Sequence, residues 1–155
     1  MINDRELQKL IKNIRKLPEK LNKSIVSLGT KAAAKTVQKA AQSNVVGDIG
    51  GHSDYYSHDM GDLEDAIVVK KTSKRSTKRN TVMYKIAIKL DGSADFANYV
   101  EFGSKMHSPQ PFMTPAYENN GNQAIEAMKA YMKRRFDQAV KKGLVWIHQK
   151  SYTQL

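Results

Sequence analysis

Residues 99–116 constrain the fold of this chain more than any other stretch. They run Tyr99-Val100-Glu101-Phe102-Gly103-Ser104, then a short polar spacer, then Pro109-Gln110-Pro111-Phe112-Met113-Thr114-Pro115-Ala116. Three of the four prolines fall here, and no single regular element can contain them. Pro109 and Pro111 lack N–H donors and bias Ser108 and Gln110 toward extended backbone. Gly103 admits a backbone angle that Phe102 resists. Thr114-Pro115 has the form of a helix start, with the hydroxyl as N-cap and the proline at the first helical position. The stretch therefore predicts a rigid elbow with a hydrophobic tip, joining an element that ends at Phe102 to a helix that begins near Pro115. Glu101 is the only carboxylate between Asp95 and Glu118, and Val100 and Phe102 flank it. It is expected to be partly buried and paired, because a charge in apolar surroundings needs partners.

The remaining elements follow from periodicity. Leu7, Leu10, Ile11, Ile14, Leu17, Leu21, Ile25, Leu28 and Ala32 recur at three- and four-residue steps, which predicts helix over residues 4–44. Pro18 predicts a break near Leu17 and a restart with the proline in the first turn. Gly29 costs about 1 kcal/mol relative to alanine, too little to end so long a pattern. Ala32, Ala33, Ala34, Ala40 and Ala41 would let another element approach closely. Residues 45–60 hold three glycines and no periodicity, and read as a long loop. Residues 66–72 read as a strand. In residues 81–90, Val82, Tyr84, Ile86, Ile88 and Leu90 alternate with Thr81, Met83, Lys85, Ala87 and Lys89, a second strand that should pair with the first as a hairpin. Residues 94–102 fit either a short helix or a strand. A last helix is expected over about residues 115–142, striped by Ala124, Ile125, Met128, Tyr131, Met132, Phe136, Ala139 and Val140, with Gly143 as its stop. Asn119-Asn120-Gly121-Asn122 is a poor helix sequence and should fray or break its first turns. The fold class is thus α+β: a small antiparallel β-sheet with a long hairpin, packed against a long N-terminal helix and a long C-terminal helix. Residues 1–143 form a single domain, and residues 144–155 form a tail. Its apolar start, Leu144-Val145-Trp146-Ile147, suits addition as a strand to a sheet edge.

Charge narrows the function. The 155 residues carry a formal net charge of +11, which reads either as a soluble basic protein or as one with a polyanionic partner, although the distribution is less what a simple DNA binder shows. The charge is segregated. Residues 48–65 have six carboxylates, including Asp48, Asp54, Asp59 and Asp62, and no Lys or Arg. Residues 70–79 have six basic side chains, Lys70, Lys71, Lys74, Arg75, Lys78 and Arg79, and no acid. Acidic and basic patches of this kind suit head-to-tail contacts between copies. The basic hairpin connection reads either as a solvated loop or as one that faces DNA or an acidic neighbour. No metal site and no cofactor are expected. There is no cysteine, and His52, Asp54, His58 and Asp59 match no ligand signature. Nor does the chain contain a Gly-rich phosphate loop, a Gly-x-Ser-x-Gly elbow or a cysteine nucleophile, so an enzyme is not expected. The polar N-terminus has no signal-peptide core and no apolar run reaches membrane-spanning length, so the expectation is a protein made in a cytoplasm, with no membrane partner.

Two blocks carry a resemblance. Tyr99-Val100-Glu101-Phe102-Gly103, the spacer, and Pro111-Phe112-x-x-Pro115-Ala116 leading into a long helix resemble the tail-completion, or head–tail joining, family of long-tailed bacteriophages. Gly61-x-Leu63-x-x-Ala66-Ile67 resembles the family's lead-in to the first strand, with Ala66 where a small hydroxyl residue is usual. Their order and spacing match over roughly residues 4–142. The resemblance favours a helix at residues 94–102. It implies a structural virion protein of the neck or tail that completes the tail and joins it to the head connector. It also implies a ring of copies, six-fold in the virion, around a DNA channel, assembled in the host cytoplasm. The implied partners are the chain itself, a connector or stopper protein, a tail tube or tail terminator protein, and the phage DNA. In that setting the residues 70–79 loop would face the channel or an adjoining ring, the acidic loop would meet a neighbour, and Glu101, Phe102 and Phe112 would hold the last helix at a fixed angle. The alternative is a basic, non-sequence-specific nucleic-acid-binding protein.

Overall fold

The computed structural model describes residues 5–45, 60–72, 82–89, 93–105 and 108–141. Its elements in order are α1 (Arg5–Arg15), α2 (Glu19–Asn44), α3 (Met60–Ala66), β1 (Ile67–Lys71), β2 (Tyr84–Ile88), α4 (Ser93–Phe102) and α5 (Met113–Lys141). The α+β class is as expected. Two long helices, α2 and α5, form the frame, and a two-stranded antiparallel sheet lies on it.

The break between α1 and α2 falls where proline dictates. Pro18 has no N–H to continue α1. It stands as the N-cap of α2 with φ −49° and ψ 140°, one position ahead of the first helical residue. Its carbonyl accepts from the N–H groups of Leu21 and Asn22, both at 2.9 Å. The turn lets Leu17 fold back into the same core as Ile14.

α2 and α5 run antiparallel. The C-terminal end of α2 meets the start of α5, where Asn44 Nδ2 donates to the Phe112 carbonyl at 3.0 Å. Toward the other end, buried Gly29 of α2 faces Met132 of α5. A Cβ at Gly29 would lie 2.5 Å from Met132 Cγ, so the bare glycine is what lets the helices close. Two apolar clusters share this frame. At the helix end, Ile14, Leu17, Ile25 and Met132 pack together among α1, α2 and α5. At the sheet end, Val37, Ala41, Leu63, Ile67, Ala97, Val100, Phe112, Ala116 and Ala124 form the second cluster. The alanines expected to permit close approach serve here, with Ala41 fully buried and Ala33 and Ala40 beside it.

The strands pair with Ile67 opposite Ile88 and Lys71 opposite Tyr84. Tyr84, Ile86 and Ile88 share one face by the strand alternation, and the Tyr84 hydroxyl sits 2.9 Å from Ser27 Oγ on α2. Gln38 Nε2 of α2 donates to the Ile67 carbonyl at 2.7 Å, tying β1 to the frame.

Three expectations change. The segment before β1 is not simply a strand lead-in. Residues 60–66 form the short helix α3, because Leu63, Ala66 and Ile67 recur at helical spacing and all three are buried. Asp62 therefore lies on a helix rather than in a loop. α5 also begins earlier than Pro115 and runs unbroken through residues 119–122. Buried Ala116 and Ala124 on either side anchor the poor helix formers between them, so packing outweighs propensity.

Candidate assembly surface

The elbow is held by a single carboxylate. α4 ends at Phe102, and Gly103 follows with φ 78°, the left-handed conformation that ends helices. Its N–H donates to the Tyr99 carbonyl at 2.8 Å, and the Gln110 N–H donates to the Val100 carbonyl at 2.8 Å. The chain then turns so that the first N–H groups of α5 point at Glu101. Phe112 N and Met113 N donate to Glu101 Oε2, each at 2.8 Å. Thr114 N donates to Oε1 at 2.9 Å, and the Thr114 hydroxyl donates to the same oxygen at 2.5 Å.

Glu101 is thus the cap of α5, supplied from the preceding helix. Thr114 is not the N-cap that its sequence suggests. It lies inside α5, and its hydroxyl is used on Glu101 instead. A carboxylate at this position satisfies N–H groups that the helix cannot satisfy itself and lies at the positive end of the helix dipole. The residue is 8% exposed. Burial pushes its carboxyl up, but the Thr114 hydroxyl and the N–H groups of Met113, Thr114 and Phe112 outweigh burial, so its pKa lies below the ordinary glutamate value. The expected pairing is therefore real, but its partners are backbone donors and a hydroxyl rather than a cation.

The clamp sorts the elbow's side chains. Phe112, Leu63, Ile67 and Ala116 are buried, and Pro115 is half-buried within α5. Phe102 does not help to hold the last helix. It is 75% exposed, because α4 turns its Ala97 and Val100 face inward and leaves Phe102 outside. Tyr99, one turn earlier on α4, is also exposed, as is Pro111. Tyr117, one turn beyond Thr114 on α5, is 74% exposed. Large exposed aromatic side chains thus lie within one helical turn of Glu101 and Thr114 along α4 and α5, while Phe112 is buried beneath the clamp. Exposed aromatic side chains on a rigid support have the composition of a protein–protein contact.

The remaining expected residues lie away from the clamp or beyond what the structure describes. Gly61 lies in α3. Lys70 and Lys71 are exposed at the end of β1 and lead toward the hairpin connection, so they belong to the strand. Lys74, Arg75, Lys78, Arg79, Asp48, Asp54 and Asp59 lie outside the described residues, as do His52, His58 and residues 142–155.

A family model described as "Bacteriophage HK97-gp10, putative tail-component" matches residues 8–103, more than half of the chain. The chain belongs to the HK97-gp10-like bacteriophage family. No curated protein and no solved structure matches it. The HK97-gp10-like match takes in most of α1 and all of α2 to α4, with Gly61-x-Leu63 and Tyr99-Val100-Glu101-Phe102-Gly103, and it ends at the residue that terminates α4. Membership places the chain among phage tail components with a structural role. No helix among the described residues is long and apolar enough to cross a membrane.

Proposed function

We propose that this HK97-gp10-like chain is a neck subunit that completes the tail and joins it to the head connector, as a ring of copies around the DNA channel. The observation that carries this reading is the elbow: a helix junction fixed by four hydrogen bonds to one carboxylate, with Phe102 and Tyr117 of the joined helices about three-quarters exposed. Rigid aromatic anchors of this kind are where binding energy concentrates in protein interfaces. The segregation of six carboxylates in residues 48–65 from six basic side chains in residues 70–79 supports contacts between unlike patches of neighbouring copies. The expected partners are further copies, a connector or stopper protein, and the tail tube or its terminator.

Particles made without this protein and viewed by electron microscopy provide the test. Separated full heads and finished tails are the expected products. Intact, joined virions in its absence would overturn the proposal. On the purified chain, Phe102→Ser with Tyr117→Ser should abolish binding to connectors or tail tubes in a mixing assay while leaving the fold intact.

A further inference from the structure

Among the described residues, the two ends of the molecule differ sharply in charge. The helix end comprises α1, the first part of α2 to Gly29, and α5 from Ile125 onward. These residues, 5–29 and 125–141, hold twelve Lys or Arg against four Asp or Glu. The other described residues hold eight against six. Two of the four acids at the helix end are engaged on their own helix, Glu19 with Lys23 and Glu126 with Lys129. Eleven of the twelve cations are exposed, and only Lys129 is half-buried.

The arrangement of these cations is specific. Arg134 and Arg135 both lie against the Tyr131 ring, 5.0 and 5.6 Å from its centroid. Arg135 also donates to the Tyr131 hydroxyl at 3.3 Å. Stacking on one ring limits the freedom of two guanidiniums and holds them on adjacent sites. Lys133 precedes them, and α1, packed on the same cluster, adds Lys9, Lys12 and Lys16.

This end exposes few large apolar side chains, with Leu7, Leu10, Leu21, Val26, Met128 and Phe136 half-buried around its cluster. Among the described residues, the exposed large hydrophobics are Met83, Tyr99, Phe102, Tyr117 and Val140, and only Val140 lies at this end. Among the described residues, the exposed aromatic side chains that protein interfaces favour lie at the sheet end. A nucleic-acid backbone is a ligand that charge alone can hold. Duplex DNA presents one negative charge per about 1.7 Å of its axis. α1 extends for about 16 Å, and the last seventeen residues of α5 for about 25 Å, so the cations are spread over a line comparable with several phosphates.

We propose that the helix end, through Lys133, Arg134 and Arg135 of α5 and the lysines of α1, is a sequence-independent contact for the phosphates of duplex DNA. It is distinct from the hairpin connection at residues 73–80. DNA binding is read on the isolated chain and joining on particles, so this site and the tail-joining role stand or fall separately. A single copy binds weakly, on the order of 10⁻⁵ M at physiological salt, and a ring multiplies the contact.

The test titrates the full chain against two 30-base-pair duplexes of unrelated sequence, over a range of salt. Equal affinity for both duplexes and a linear fall of log affinity with log salt are expected. Lys133→Gln/Arg134→Gln/Arg135→Gln should weaken binding at least about tenfold at low salt and reduce the salt slope by about 0.9 for each phosphate no longer neutralised. Should that variant fail to fold, Lys9→Gln/Lys12→Gln/Lys16→Gln replaces it with the same expected result. Unchanged affinity in both variants overturns the proposal. So does loss of DNA binding only when Lys74, Arg75, Lys78 and Arg79 are neutralised, and so does a helix-end variant that loses connector binding but keeps DNA binding.

Discussion

At the scale of single residues, Glu101 and Phe102 are neighbours with opposite tasks. Glu101 gathers three backbone N–H groups and a hydroxyl, so removing its charge leaves donors short of an acceptor. Glu101→Gln is expected to cost about 2 kcal/mol of stability at neutral pH, because hydrogen bonds to a charged partner are stronger and buried donors are costly to strand. The sign with pH follows from the lowered pKa. The contribution is complete above the ordinary glutamate value of about 4.3 and is lost as pH falls through the lower folded value. Wild type and variant should therefore converge in strong acid, as read by denaturant midpoints at neutral pH and at pH values below that of a free carboxylate. A gap that stays constant with pH would show that the charge is not what caps α5. Phe102 is mostly in solvent, so Phe102→Ser should shift folding stability by no more than about 0.5 kcal/mol. Its effect should be confined to the binding of partners.

Among the elements, the contact between α2 and α5 is decided by Gly29. An alanine there gains about 1 kcal/mol in helix propensity but places its methyl 2.5 Å from Met132 Cγ and 2.9 Å from its Cε, so the whole side chain must shift rather than its tip alone. Overpacking of this kind costs about 1–3 kcal/mol, so Gly29→Ala should be net destabilising. Met132→Ala alone opens a cavity and destabilises too. Combined, the two should cost less than their sum by at least about 1 kcal/mol, since each relieves the other, and a double-mutant cycle measures the difference. Additive effects would mean that the helices do not meet at this pair. Elements whose cause is local are legible in the sequence: the break at Pro18, the alternation in β2, and the left-handed Gly103. Those decided by contacts far along the chain are not. Helix α3 is hidden because Ala66-Ile67-Val68-Val69 looks like a strand, and what makes residues 60–66 helical is Leu63 reaching the core beside α2 and α4. Thr114-Pro115 carries a local cap signal, yet the cap comes from Glu101, thirteen residues earlier. Phe102 is apolar and so invites the reading of a brace for the last helix; only the rotation of α4 shows that it faces out. Lys133, Arg134 and Arg135 sit off the apolar stripe of α5 in the sequence, but that α1 packs at the same end of α5 needs the fold-back at Pro18.

Taken whole, the described part of the molecule has a strongly basic helix end and a sheet end with near balance of charge, and salt should act on folding and assembly in opposite directions. Within the free chain, the crowded cations of α1 and α5 repel one another. The ion pairs Lys23 with Glu19 and Lys129 with Glu126 join neighbours on one helix and offset little of this. Screening at 0.15 M salt acts beyond about 8 Å, which covers most separations between exposed cations on different helices. Raising salt from about 0.02 to 0.2 M should therefore relieve the repulsion and raise Tm by about 2–4 °C, the shift expected for a stability gain near 1 kcal/mol in a domain of this size. Assembly of copies runs the other way if unlike patches meet, because screening weakens attraction between the carboxylates of residues 48–65 and the basic side chains of residues 70–79. The same addition of salt should thus increase the melting temperature of the subunit while lowering the fraction assembled, read by differential scanning calorimetry and analytical ultracentrifugation on one set of samples. If assembly instead strengthens with salt, the copies are held by their aromatic elbow surfaces against a net repulsion, and the acidic and basic segments do not meet.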